Sequence, residues 1–69
     1  MERKGGKMKI KDLRIKNALT QKQLAEKMGV SSVAISHWEQ GIRRPSIKRI
    51  TKLATVLNVS ETKIFECFK

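Results

Sequence analysis

A glycine at position 29 separates two short segments that both have the apolar spacing of a helix. Before it, Leu24 and Met28 fall on one helical face, and after it Ile35 and Trp38 do the same. Glycine adopts the left-handed backbone conformation at little cost, and a residue in that conformation ends a helix. The sequence therefore predicts two helices joined by a short turn, rather than one continuous helix.

Helix starts are marked along the chain by a threonine or serine whose side chain can accept hydrogen bonds from the first-turn N–H groups. These candidate N-caps are Thr20, Ser31, Ser46 and Ser60. A further helix is predicted from Lys9, where an inner face recurs at helical spacing: Ile10, Leu13, Arg14 and Asn17. The one short apolar run that could form a strand is interrupted by Asn58. We therefore expect an all-α fold with five helices.

The last two predicted helices also have apolar faces. That of the fourth helix consists of Ile47, Ile50, Leu53, Ala54 and Leu57. The final helix, from Ser60 to about Phe68, is expected to direct three apolar residues inward or toward a partner: Ile64, Phe65 and Phe68. Of these, Phe68 follows the last cap, so we expect it to be exposed until a second subunit covers it. Cys67 is expected to be a partly buried apolar filler.

A chain of 69 residues has room for one domain. Residues 1–8 are basic, contain two glycines and have little to bury, so we expect a flexible arm there and a domain at residues 9–69. No apolar run approaches the roughly 20 residues that span a bilayer. We therefore expect a soluble, cytoplasmic protein without a membrane partner.

The formal net charge of +10 is the strongest compositional feature. Charge of this sign attracts polyanions such as nucleic acid or an acidic membrane face. An enzyme is not expected, because no set of nucleophile and base and no phosphate-binding glycine loop is present. His37 is the only histidine and has no flanking carboxylate pair at ligand spacing, so we expect neither a metal nor a cofactor.

Two helices that meet across a short glycine turn hold the second helix at a steep angle, from which it can enter a major groove. The stretches "LTQKQLAEKMGVSSVAISHWEQG" and "RRPSIKRITKLATVLNVS" resemble the lambda-repressor and Cro type of DNA-binding domain, the XRE family. The segment "GVSSVAISHWE" looks especially like the recognition segment of lambdoid phage repressors. The resemblance covers roughly Ile10 to Phe65. It implies a lambda-repressor-like five-helix domain, with the helix-turn-helix at helices 2 and 3, that binds double-stranded DNA.

The outer face of the third helix is the part that reaches base edges in this docking mode. We expect four residues to read bases: Ser32, Val33, Ser36 and His37. Val33 is the most informative, because an exposed β-branched side chain can bury itself against a thymine methyl group. Five residues are expected to bind phosphates, with Gln21 aided by the helix dipole: Gln21, Gln40, Arg43, Arg44 and Lys48.

Basic residues without an intervening acid continue past this set, at Arg49 and Lys52. Arg14 is a charged residue on the inner face of the first helix, so it needs a partner. Glu39, on the inner side of the third helix, can supply a bidentate one. The family resemblance implies the same ion pair, which we interpret as structural.

The favoured interpretation is a sequence-specific transcriptional regulator, a repressor that binds a palindromic operator as a homodimer through its C-terminal helix or the preceding loop. Alternatives of three kinds remain, one that keeps the fold and DNA binding and two that replace DNA binding. An antitoxin with a toxin partner, or a restriction-modification controller, would keep the fold and autoregulate its operon. A protein-interaction adaptor or a membrane-surface binder would replace DNA binding altogether.

Overall fold

The computed structural model describes residues 9–68, so the predicted arm at residues 1–8 lies outside the described residues. The described part contains five helices: α1 (Ile10–Lys16), α2 (Gln21–Met28), α3 (Ser32–Gln40), α4 (Ile47–Leu57) and α5 (Glu61–Glu66). Helix α2 packs against α3 and α4, while α1 packs against α3 and α5 against α4. The prediction of an all-α fold with five helices is confirmed.

Each predicted N-cap accepts the expected hydrogen bond. The Thr20 hydroxyl accepts from the Gln23 backbone N–H at 3.0 Å, and the Gln23 side chain accepts from the Thr20 N–H at 2.9 Å, which completes a capping box. The hydroxyls of Ser31, Ser46 and Ser60 accept in the same way from the residues three positions later, at 3.2, 3.4 and 3.2 Å. The first turns of four helices are therefore fixed by local contacts that the sequence encodes.

Three of the helices end at a residue in the left-handed conformation. These are Gly29 (φ +72°), Gly41 (φ +77°) and Asn58 (φ +59°). The residue after each one donates its N–H to a carbonyl of the last helical turn; Val30, for example, donates to Ala25 at 3.0 Å. As predicted, Gly29 turns the chain directly from α2 into α3.

The core lies where the helices meet and consists of twelve buried apolar side chains. These are Ile10, Leu13, Leu24, Ala25, Met28, Ile35, Trp38, Ile50, Leu53, Ala54, Leu57 and Ile64. Leu24, Ile35 and Leu53 are completely buried, so α2, α3 and α4 are held together by apolar packing. Val30, in the α2–α3 turn, packs against the same core.

Two predictions about apolar residues were wrong. Ile47, assigned to the inner face of the fourth helix, has 72% of its surface exposed, because the first turn of α4 lies at the margin of the core. Phe68, which we expected to be exposed, packs against the core, whereas Phe65 is 46% exposed. Since Ile64 is buried, the next residue of α5 points away from the core.

Candidate nucleic-acid interface

Helix α3 has one buried side and one exposed side. Ile35 is fully buried and Trp38 is 6% exposed, so one side is fixed to the core. Ser32 and Val33, in the first turn, are exposed, and Val33 leaves 60% of its surface open. A helix held in this way presents Ser32 and Val33 outward while its position is set by packing on the other side.

The predicted base-reading residues lie together on this outer side and are called the reading face below: Ser32, Val33, Ser36 and His37. The last two are partly buried. The Gln40 amide donates to the Ser36 hydroxyl at 2.7 Å. Because this bond uses a lone pair of Ser36, the hydroxyl hydrogen stays available for an outside acceptor.

Most of the predicted phosphate-binding residues are exposed, at the end of α3, in the loop after it and in the first turn of α4: Gln40, Arg43, Arg44 and Lys48. Next to them lies an open hollow of about 400 Å³ between the α2–α3 turn and the first turn of α4. Arg43, Arg44 and Arg49 all line this hollow. Sequence reasoning placed Arg49 in the basic run without giving it a contact. Its position, three residues after the cap Ser46, was the available signal.

Arg44 makes a contact that the sequence did not indicate. Its Nη2 donates to the backbone carbonyl of Phe68 at 2.7 Å, which ties the loop between α3 and α4 to the turn after α5. The guanidinium has five N–H donors, so this bond leaves others for a second acceptor. No sequence pattern relates two positions 24 residues apart in this way.

The predicted Arg14–Glu39 ion pair is present, but it is formed by one hydrogen bond and is not the bidentate contact that we expected. Arg14 Nε lies 2.6 Å from Glu39 Oε2, with the two side chains 11% and 5% exposed. Arg14 Nη1 also donates to the Leu19 carbonyl at 2.8 Å. Gln21, expected to be free for a phosphate, donates from Nε2 to Glu39 Oε1 at 2.9 Å. Both oxygens of this nearly buried carboxylate therefore have partners.

The chain is similar to known proteins over most of the residues that form its helices. A family model described as Helix-turn-helix matches residues 10–64. The chain belongs to this helix-turn-helix family. It is also similar to two HTH-type transcriptional regulators of Archaeoglobus fulgidus. One is 39% identical over 57 residues, which cover 83% of this chain and 80% of the relative; the other is 35% identical over 57 residues, covering 83% and 81%.

Family membership assigns a general function to the chain. The helix-turn-helix family of the XRE type consists of DNA-binding transcriptional regulators and is not a family of enzymes. In such proteins the second helix of the motif enters the major groove, and here that helix is α3. The chain is therefore a DNA-binding transcriptional regulator.

Within residues 9–68, no three residues of metal-ligating type lie close enough to hold a metal ion, and no helix is both long and apolar enough to cross a membrane. Cys67 is partly buried, as expected, and its Sγ donates to the Lys63 carbonyl at 3.4 Å. Burial raises the pKa of the Cys67 thiol above its ordinary value.

Proposed function

We propose that this protein is a sequence-specific repressor that binds a palindromic operator in double-stranded DNA as a homodimer. The observation that carries the proposal is the division of α3 into a buried side, with Ile35 and Trp38, and an exposed first turn, with Ser32 and Val33. A repressor of this kind works in the cytoplasm and needs only to occupy its site, so no chemistry is required of the chain.

The reading face supplies the sequence preference. Val33 packs against a thymine methyl group, which removes apolar surface from water on both partners. Ser32 and Ser36 donate to or accept from base edges, and His37 contacts a base or a neighbouring phosphate. The exposure of Val33 supports this role, since 60% of an apolar side chain has no other burial partner within the described chain.

Phosphate contacts set the register of the protein on the duplex. Arg43, Arg44 and Lys48 supply positive charge on one side of the reading face, with Gln40 adding a neutral contact. At the other end of the motif, the start of α2 presents unpaired N–H groups and the positive end of the helix dipole. Gln21, the first residue of α2, adds its side chain to this contact.

Two copies are needed because one short recognition helix contacts too few base pairs to single out a site. We assign the contact between copies to α5 or the loop before it. Phe65 supports this assignment, because it leaves 46% of an aromatic side chain exposed on α5. A twofold dimer would place its two α3 helices in successive major grooves on one side of the duplex.

Selection of bound sites from random duplex DNA tests the proposal. We expect enrichment of a palindrome whose half-sites lie about one helical turn, roughly 10 base pairs, apart. Recovery of no consensus would contradict sequence-specific binding. Recovery of one unpaired half-site, with a complex of one chain per duplex, would contradict the dimer alone.

A further inference from the structure

The Glu39 carboxylate joins three helices. Its side chain is 5% exposed and belongs to α3. Oε2 accepts from Arg14 of α1 at 2.6 Å, and Oε1 accepts from Gln21 of α2 at 2.9 Å. A carboxylate this far from water needs donors to both oxygens. The contact with Gln21 is therefore a structural bond in addition to any contact that this residue makes with DNA.

The position of the Gln21–Glu39 hydrogen bond allows it to control the orientation of α3. Gly29 joins the end of α2 to the beginning of α3, and a turn of this kind is one point of attachment. Gln21 is the first residue of α2 and Glu39 is the last but one of α3, so their hydrogen bond joins the opposite ends of the same two helices. Apolar packing of Leu24 against Ile35 already holds the two helices together, and this second polar attachment fixes the angle at which they pack.

No second polar bond shares this task. Among the side-chain hydrogen bonds of residues 9–68, Gln21–Glu39 is the only one that joins the side chains of α2 and α3. The amide has one orientation, because turning it over would place two oxygens against each other. The second hydrogen on Nε2 remains for a phosphate, so one amide group can contact DNA and Glu39 at once.

We infer that Gln21 is a positioning residue that sets the angle of α3 and thereby the sequence discrimination of the protein. This inference rests on the proposed function. A residue that only binds phosphate contributes equally to every duplex. A residue that orients the reading face contributes to the correct sequence alone, because base contacts fail when the helix is displaced by a fraction of an ångström.

The first variant is Gln21→Met, which keeps the length of the side chain and removes the hydrogen bond without adding charge. Fluorescence anisotropy gives Kd for the selected operator and for a scrambled duplex, and their ratio is the discrimination. We expect Gln21→Met to lower this ratio about fivefold to tenfold, equivalent to about 1 kcal/mol for one lost hydrogen bond. A ratio equal to that of the wild type would overturn the inference and leave the proposed function intact.

A reciprocal exchange separates the two roles of Gln21. Gln21→Glu alone places two carboxylates together, so discrimination should fall. In Gln21→Glu/Glu39→Gln, residue 39 still accepts from Arg14 and now donates to residue 21. We expect the discrimination ratio to return to within about twofold of the wild type, while Kd for both duplexes stays higher because the new carboxylate repels phosphate.

Lys22→Gln is the matched control for Gln21→Glu alone, since both lower the net charge by one and Lys22 is the next, exposed position of α2. It should weaken both duplexes alike and leave the ratio unchanged. Thermal unfolding followed by circular dichroism shows which variants are folded. If Gln21→Met is not folded, the test relies on Gln21→Glu/Glu39→Gln. If Gln21→Glu/Glu39→Gln does not regain discrimination, the inference is refuted. If the wild-type protein binds the operator and the scrambled duplex with equal Kd, the proposed function is refuted instead.

Discussion

Ala18 adopts a backbone conformation that alanine normally avoids. Its φ is +59°, in the left-handed region, whereas the glycines at positions 29 and 41 reach the same region without a side chain. Asn58 also has a φ of +59°, but asparagine tolerates this conformation better. In alanine the Cβ atom approaches the following carbonyl oxygen, which costs about 1–2 kcal/mol. The turn between α1 and α2 therefore stores strain.

Ala18→Gly should stabilise the domain. Relief of the strain outweighs the larger entropy of glycine in the unfolded chain, so we expect the free energy of unfolding to rise by about 0.5–1 kcal/mol. Urea denaturation followed by circular dichroism measures it. The converse change, Gly29→Ala, meets no atom within 4 Å of the new Cβ and should lower stability by about 1 kcal/mol through the backbone alone. A loss of stability in Ala18→Gly would contradict this account.

Val33→Ala should reduce selectivity at a single base step. Its two lost methyl groups no longer pack against thymine, so we expect about a fivefold loss at one position of the operator. Stability should hardly change, because Val33 is 60% exposed. Anisotropy with a panel of operators, each changed at one base pair, locates the position. Arg43→Ala is the comparison variant and should weaken every duplex similarly; the same profile from both variants would contradict the division of roles.

Individual residues differed in how far the sequence could predict their contacts. Arg14 was paired with Glu39 correctly, because a charge on an inner helical face requires a partner on a facing helix. The bond from Gln21 to Glu39 and that from Arg44 to the Phe68 carbonyl were not foreseen. Both depend on the distance between elements, which residue type and spacing do not encode.

At the scale of elements, helix boundaries were the most predictable feature. The caps at Thr20, Ser31 and Ser46 act within three residues, so the sequence contains all the atoms that decide them. The burial of a helix face depends on how far neighbouring helices extend. For that reason the periodicity of α4 predicted the direction of its apolar face but wrongly included Ile47.

The two N-cap serines of α3 and α5 provide a test at this scale. Ser31→Ala and Ser60→Ala each remove one cap bond, of 3.2 Å in both cases, and each should lower the free energy of unfolding by about 1 kcal/mol. Because Ser60 begins α5, to which we assign the contact between copies, both variants are compared at a protein concentration at which they are dimeric. Under that condition only Ser31→Ala should also reduce discrimination between operator and scrambled DNA, since the first turn of α3 carries Ser32 and Val33. Thermal melts and anisotropy measure the two effects. Equal loss of discrimination in both variants would show that stability, and not the first turn of α3, controls recognition.

For the whole molecule, the net charge of +10 sets how binding responds to salt. Each phosphate neutralised contributes about 0.9 to the slope of log affinity against log salt concentration. Six phosphate contacts, three from each of two subunits, therefore predict a slope of about −5 for binding to the operator. The three residues of each subunit are Arg43, Arg44 and Lys48. Anisotropy titrations between about 50 and 200 mM salt measure it. An affinity for the operator that does not change with salt concentration would contradict the phosphate contacts. Scrambled DNA should bind more weakly but retain a steep slope.

The helices of the described chain are short, the longest having 11 residues and α3 having nine. Below roughly 12–15 residues an isolated helix is marginal in water. An isolated peptide of residues Ser32–Gln40 should therefore lose its helical structure. Any ability to discriminate between DNA sequences should be lost with it. In the function that we propose, packing against the rest of the domain keeps these nine residues helical and so makes recognition possible. We therefore expect variants that destabilise any of the other helices to impair recognition in the DNA groove as well.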